Sequence, residues 1–65
     1  MKLSTILTEA RKDKNLSQEV AAKRMGLNPV SLSRYENGHT VPSSRNLIKL
    51  VKFYGLDFQR VATAT

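Results

Sequence analysis

The stretch NPVSLSRYENG, residues 28–38, holds the side chains with the most recognisable chemistry in this chain. At helical spacing Leu32 and Tyr35 share an inner face, and Val30, Ser33, Arg34 and Asn37 point away from it. An ordinary outer helix face prefers Ala, Glu and Lys. This one offers a branched apolar group, a hydroxyl, a guanidinium and an amide. A guanidinium donates in a rigid fork, while an amide or a hydroxyl both donates and accepts. Such a set is equipped for recognition by contact. Catalysis asks for other sets, and none is visible: no paired carboxylates in a plausible cleft, no Ser-His-Asp set, no Gly-rich phosphate loop. His39 has no second ligand at metal spacing and reads as a loop residue or a phosphate neighbour. The chain is therefore read as no enzyme, with no metal, no cofactor and no small-molecule substrate.

Length and charge narrow the class of partner. The chain has 65 residues, enough for one small domain whose stability is marginal. Eleven Lys and Arg stand against five Asp and Glu, for a net charge of +6, and the pI is near 10.2. A small basic domain favours nucleic acid, because phosphates neutralised by Lys and Arg release their counterions. There is no cysteine, so disulfide frameworks and thiolate metal sites are excluded. No apolar run approaches the ~20 residues of a membrane span, and MKLSTILTEARK lacks a secretion signal's apolar stretch and cleavage site. A cytoplasmic location is expected. Lys23, Arg24, Lys49 and Lys52 fall on separate helices and make no single amphipathic stripe for a membrane surface.

The elements that must position the set are helical throughout. Leu3, Ile6, Leu7 and Ala10 recur at helical spacing, with Ser4 as a late N-cap, and residues 12–15 form a polar turn. Ser17 caps a second helix, Gln18 to Met25, that buries Ala21, Ala22 and Met25. Gly26 stops it in the left-handed conformation. Asn28 caps a third helix and Pro29 is its first residue, where an N–H would have no intrahelical partner anyway. Asn37-Gly38 ends it, residues 39–42 form a loop, and Ser43 or Ser44 caps a fourth helix with Leu47, Leu50, Val51 and Tyr54 on one face. After Gly55, Asp57 opens a short fifth helix with Phe58 and Val61. The fold class is all-α, about five helices around one core: a domain over residues 1–61, and a tail over 62–65 with no structure assigned. Within it, residues 17–36 carry helix-turn-helix spacing, with the outward set on residues 29–36.

LSQEVAAKRMGLNPVSLSRYENG resembles the helix-turn-helix of the lambda repressor and Cro family, the XRE type. The matching features are the Gln that opens helix two, the small Ala22, Gly26 in the turn, and the Glu-Asn-Gly exit of helix three. LIKLVKFYGLDF is similar to the family's fourth helix and its exit, so the resemblance spans about residues 3–61. It implies a compact five-helix lambda-repressor-like domain that binds double-stranded DNA at a palindromic operator as a homodimer. It also implies a transcriptional regulator, chiefly a repressor. The alternative is an antitoxin, or a regulator whose main partner is another protein, since one fold serves several functions.

The resemblance assigns roles residue by residue. Helix 29–36 becomes the recognition helix in the major groove, with base contacts from Asn28, Val30, Ser33 and Arg34; the competing reading leaves Asn28 only a cap, Val30 a stray surface residue and Arg34 a solvated charge. Arg34 is suited to guanine O6 and N7, and Val30 to a thymine methyl. Backbone contacts fall to Gln18, Asn37, Thr40 and Arg45. The family's Gln also braces a polar side chain at the start of helix three. Here that position is Pro29, which has no such group, so Asn28 is the candidate for the brace. Arg11 and Glu36 are expected to form a structural salt bridge. Phe58, Arg60, Val61 and Ala62 are the dimer-interface candidates, with Phe53 or Leu56 adjacent; the competing reading has Phe58 and Val61 closing the core.

Overall fold

The computed structural model describes residues 2–64. Its elements are α1 (Leu3–Asp13), α2 (Gln18–Met25), α3 (Pro29–Asn37), α4 (Ser44–Tyr54) and α5 (Phe58–Thr63). No strand occurs among the described residues, and no helix there is long and apolar enough to cross a membrane.

Local chemistry starts most of these helices. Ser17 accepts from the Val20 N–H, Asn28 from Val30, Ser43 from Asn46 and Asp57 from Gln59, each giving an orphan donor of a first turn its partner. α1 differs. It begins at Leu3, with Lys2 extended at the cap position and no side-chain cap, so Ser4 lies inside the helix. The Ser4 carbonyl accepts from the Thr8 hydroxyl at 2.8 Å. The chain leaves α1 through Asn15 at φ 57°, in the left-handed region that Asn tolerates better than most residues. Gly26 at φ 71° closes α2, and its N–H is shared by the Ala22 and Lys23 carbonyls.

The core is built from the inner positions of all four longer helices. Leu7, Leu32 and Leu50 are fully buried, with Ala21, Ala22, Met25, Leu27 and Tyr35 around them. Complete burial of a leucine is worth roughly 1.5–3 kcal/mol. α3 packs on both α1 and α2 and so rests on two supports.

Two further boundaries move from the sequence reading. α3 runs one residue past 36, to Asn37. α5 takes in Ala62 and Thr63 from the expected tail, because the Thr63 hydroxyl bonds back to the Gln59 and Arg60 carbonyls at 3.2 and 3.1 Å. Residue 65 lies outside the described residues. Val61, set aside as an interface candidate, is only 3% exposed and closes the core. Phe58 beside it is 54% exposed, while Arg60 and Ala62 are also exposed.

Candidate nucleic-acid interface

The base of the site is a buried carboxylate. Glu36, on the inner side of α3, has a side chain 3% exposed, and Arg11 of α1 faces it at 13%. Arg11 Nε donates to Oε2 at 2.9 Å and to Oε1 at 3.1 Å. Its Nη1 donates to the Leu16 carbonyl at 2.7 Å, pinning the turn after α1. The hydrogen bond to Glu36 drives the guanidinium pKa up and outweighs the opposing effect of burial. Gln18 Nε2 donates to Oε1 at 3.0 Å. The Thr8 hydroxyl also approaches that oxygen, at 3.5 Å, but its proton is engaged by the Ser4 carbonyl.

Gln18 is therefore the brace between α2 and α3, through Glu36. Neither Pro29 nor Asn28 takes that role. One of its two amide N–H bonds is spent on the carboxylate, which leaves one for an outside acceptor. Asn28 is occupied as a cap, its Oδ1 accepting from Val30 N at 2.8 Å, and its amide nitrogen is left for a partner.

Above this base, the outer side of α3 carries Val30 at 62% exposure and an exposed Arg34. Ser33 is half-buried, and its hydroxyl accepts from Asn37 Nδ2 at 3.4 Å, one turn on, so these two share a face. Asn37 and Thr40 line one cleft at the exit of α3. Arg45 is exposed in the first turn of α4. The fold thus assembles Asn28, Val30, Ser33, Arg34 and Asn37 on or beside one short helix. Phe58, Arg60 and Ala62 belong to a different element, α5.

Sequence reasoning passed over three features. Lys2 lines the Asn37–Thr40 cleft, a tertiary juxtaposition without a local signal. Val41 is 80% exposed beside a buried Pro42, and only its apolar type inside a polar loop hints at it. Tyr54, read as a core residue, has a buried hydroxyl that no described residue partners. Burial and the nearby Glu36 charge push its pKa up to about 12, against a smaller opposing pull from Arg11. Asn46, in contrast, does satisfy an inner tyrosine, donating to the Tyr35 hydroxyl at 2.9 Å.

Comparison with known proteins agrees with this geometry. A family profile described as "Helix-turn-helix" matches residues 7–61. The "ImmF control region 10 kDa protein" of Bacillus phage phi105 is 36% identical over 56 residues, which cover 86% of this chain and 62% of that relative. The chain therefore spans less than two thirds of the relative's length. With α2, its glycine turn and α3 inside the matched span, the chain belongs to the XRE-type helix-turn-helix family of DNA-binding transcriptional regulators.

Proposed function

We propose that this protein binds double-stranded DNA sequence-specifically as a two-fold dimer, reads the major groove with α3, and acts as a transcriptional repressor in the cytoplasm. The observation that carries the reading is the division of α3 into two sides. Glu36, Leu32 and Tyr35 fasten the inner side, while Val30 and Arg34 stay exposed on the outer one. A major groove admits an α-helix, and a guanidinium fork matches guanine O6 and N7. The amide of Asn28 and the hydroxyl of Ser33 extend the same reading surface. Gln18, Asn37, Thr40 and Arg45 serve as backbone anchors that set register without reading sequence. The net charge of +6 supplies the electrostatic attraction. A relative named for a phage control region supports a regulatory role.

One helix-turn-helix reads a half-site, and two copies about 34 Å apart read a palindrome. Phe58, Arg60 and Ala62, exposed on α5, are the surface proposed for pairing. Selection from a randomised duplex pool at two salt concentrations tests the whole reading. Enrichment of a palindrome with half-sites one turn apart is expected, and Arg34→Ala is expected to lose about 1–3 kcal/mol of preference at one base pair per half-site. Salt-sensitive binding without an enriched sequence would reject specific readout, and absence of binding would redirect the search to a protein partner.

A further inference from the structure

A cleft of about 360 Å³ lies between the start of α1 and the exit of α3. Lys2 and Ser4 line it from one side, and Tyr35, Asn37 and Thr40 from the other. The two walls are close: a Cβ on Gly38 would stand 3.8 Å from Ser4 Oγ. The polar side chains of this lining are an ammonium, three hydroxyls and an amide, and no Asp or Glu is among them. Donors without a competing carboxylate suit an oxyanion, and an exposed lysine brings the charge. The cleft also adjoins the reading helix, since Asn37 is the last residue of α3.

We propose that this cleft seats a phosphodiester of the DNA backbone, with Lys2 as its cationic ligand. Lys2 then extends the footprint to α1, an element not otherwise assigned to DNA. The inference rests on the DNA-binding reading above, and its test separates the two. Lys2→Ala leaves the fold intact, because Lys2 is exposed and supplies no side-chain cap to α1. Neutralising one phosphate contributes about 0.9 to the slope of log K against log salt. Binding to the selected duplex is therefore measured from low to physiological salt for the unmodified protein, Lys2→Ala, Thr40→Ala and Arg34→Ala. Lys2→Ala is expected to lower the magnitude of the slope by about 0.9 with the preferred sequence unchanged. Thr40→Ala is expected to weaken all duplexes alike, with the slope unchanged.

A slope unaffected by Lys2→Ala, while Arg34→Ala still loses base preference, overturns the seat and leaves the recognition helix standing. In a parallel arm, inorganic phosphate is titrated against the free protein, with the amide resonances of Ser4, Gly38 and Thr40 as reporters. Saturable binding there, with a slope that Lys2→Ala does not move, would assign the cleft to a free anion and overturn the proposal. No duplex binding by the unmodified protein overturns both readings.

Discussion

Glu36→Gln removes one charge from the polar base of the site with little change in shape. The native carboxylate accepts both contacts of Arg11 Nε, at 2.9 and 3.1 Å, and the Gln18 amide at 3.0 Å. A glutamine offers one acceptor oxygen and turns an NH2 group toward one of those donors. Arg11, 13% exposed, then keeps its charge without a counterion. Breaking a buried pair from one side costs about 3–5 kcal/mol, whereas an exposed pair is worth about 0–1. Arg11 retains some solvent and one acceptor survives, so the low end applies, about 3 kcal/mol. The total stability of a domain this size is about 3–10 kcal/mol, at 0.05–0.15 per residue. The variant is thus expected to lose a large share of its stability and to melt about 12–24 °C lower. Urea and thermal denaturation followed by circular dichroism read this directly. A loss under about 1 kcal/mol would refute the reasoning, because the pair would then be behaving as a screened surface contact.

Tyr54→Phe removes a buried hydroxyl without a described partner and is expected to raise stability at neutral pH by about 1 kcal/mol in urea titrations. The same variant should remove an alkaline dependence: the folded phenol holds its proton up to about 12 against 10.0 for the free group, so stability is complete below pH 10 and falls as pH rises from 10 toward 12. Ser17→Ala and Asn28→Ala each delete an N-cap and should each cost about 1 kcal/mol by denaturation, yet only Asn28→Ala should also alter base preference in the duplex selection. Phe58→Ser should lower the melting temperature by less than about 10 °C, since the residue is 54% exposed, and should weaken self-association in sedimentation; a dimer as strong as the unmodified one would remove Phe58 from the pairing surface.

The parts of the structure legible in the sequence are those set by neighbours along the chain. The caps at Ser17, Asn28 and Asp57 need only a side-chain oxygen two or three residues before a free N–H. Gly26 and Gly55 announce themselves because a left-handed exit suits no other residue as well. Alternation of Ala21, Ala22 and Met25 with polar neighbours gives the buried side of α2. The start of α1 is harder to read: Ser4 is a good cap by type, but Leu3 packs against the core and the helix begins two residues earlier, with Lys2 at the cap position. The destination of the Gln18 amide was not readable either, because its partner stands eighteen residues away on another helix. Val61 and Phe58 look alike as interface candidates by type and spacing, and only packing sends one inward and leaves the other out. The Lys2 cleft exists solely because α1 and the exit of α3 meet in space.

The buried polar base answers a geometric need of α3. The helix has nine residues, and its inner face rests on Leu32 and on Tyr35, whose hydroxyl accepts from Asn46 of α4 at 2.9 Å. The apolar packing of these two side chains resists rotation about the helix axis only weakly, because hydrophobic contact is non-directional, and the one directional bond of Tyr35 lies at the far tip of its ring. A rotation that Leu32 and Tyr35 tolerate would carry Val30 and Arg34 away from their positions on the outer side. Directional bonds remove that freedom. Glu36 follows Tyr35 by one residue, and its carboxylate is held from α1 by Arg11 and from α2 by Gln18. A well-packed apolar replacement for such a pair is often neutral or stabilising, so stability alone gives little reason for a carboxylate here. If α3 reads bases as proposed, angular definition of its outer side is the stronger reason, because hydrogen bonds weaken steeply with misalignment. The bonds come from both supporting helices: Arg11 Nε holds both carboxylate oxygens from α1, and the Gln18 amide supplies a second direction from α2.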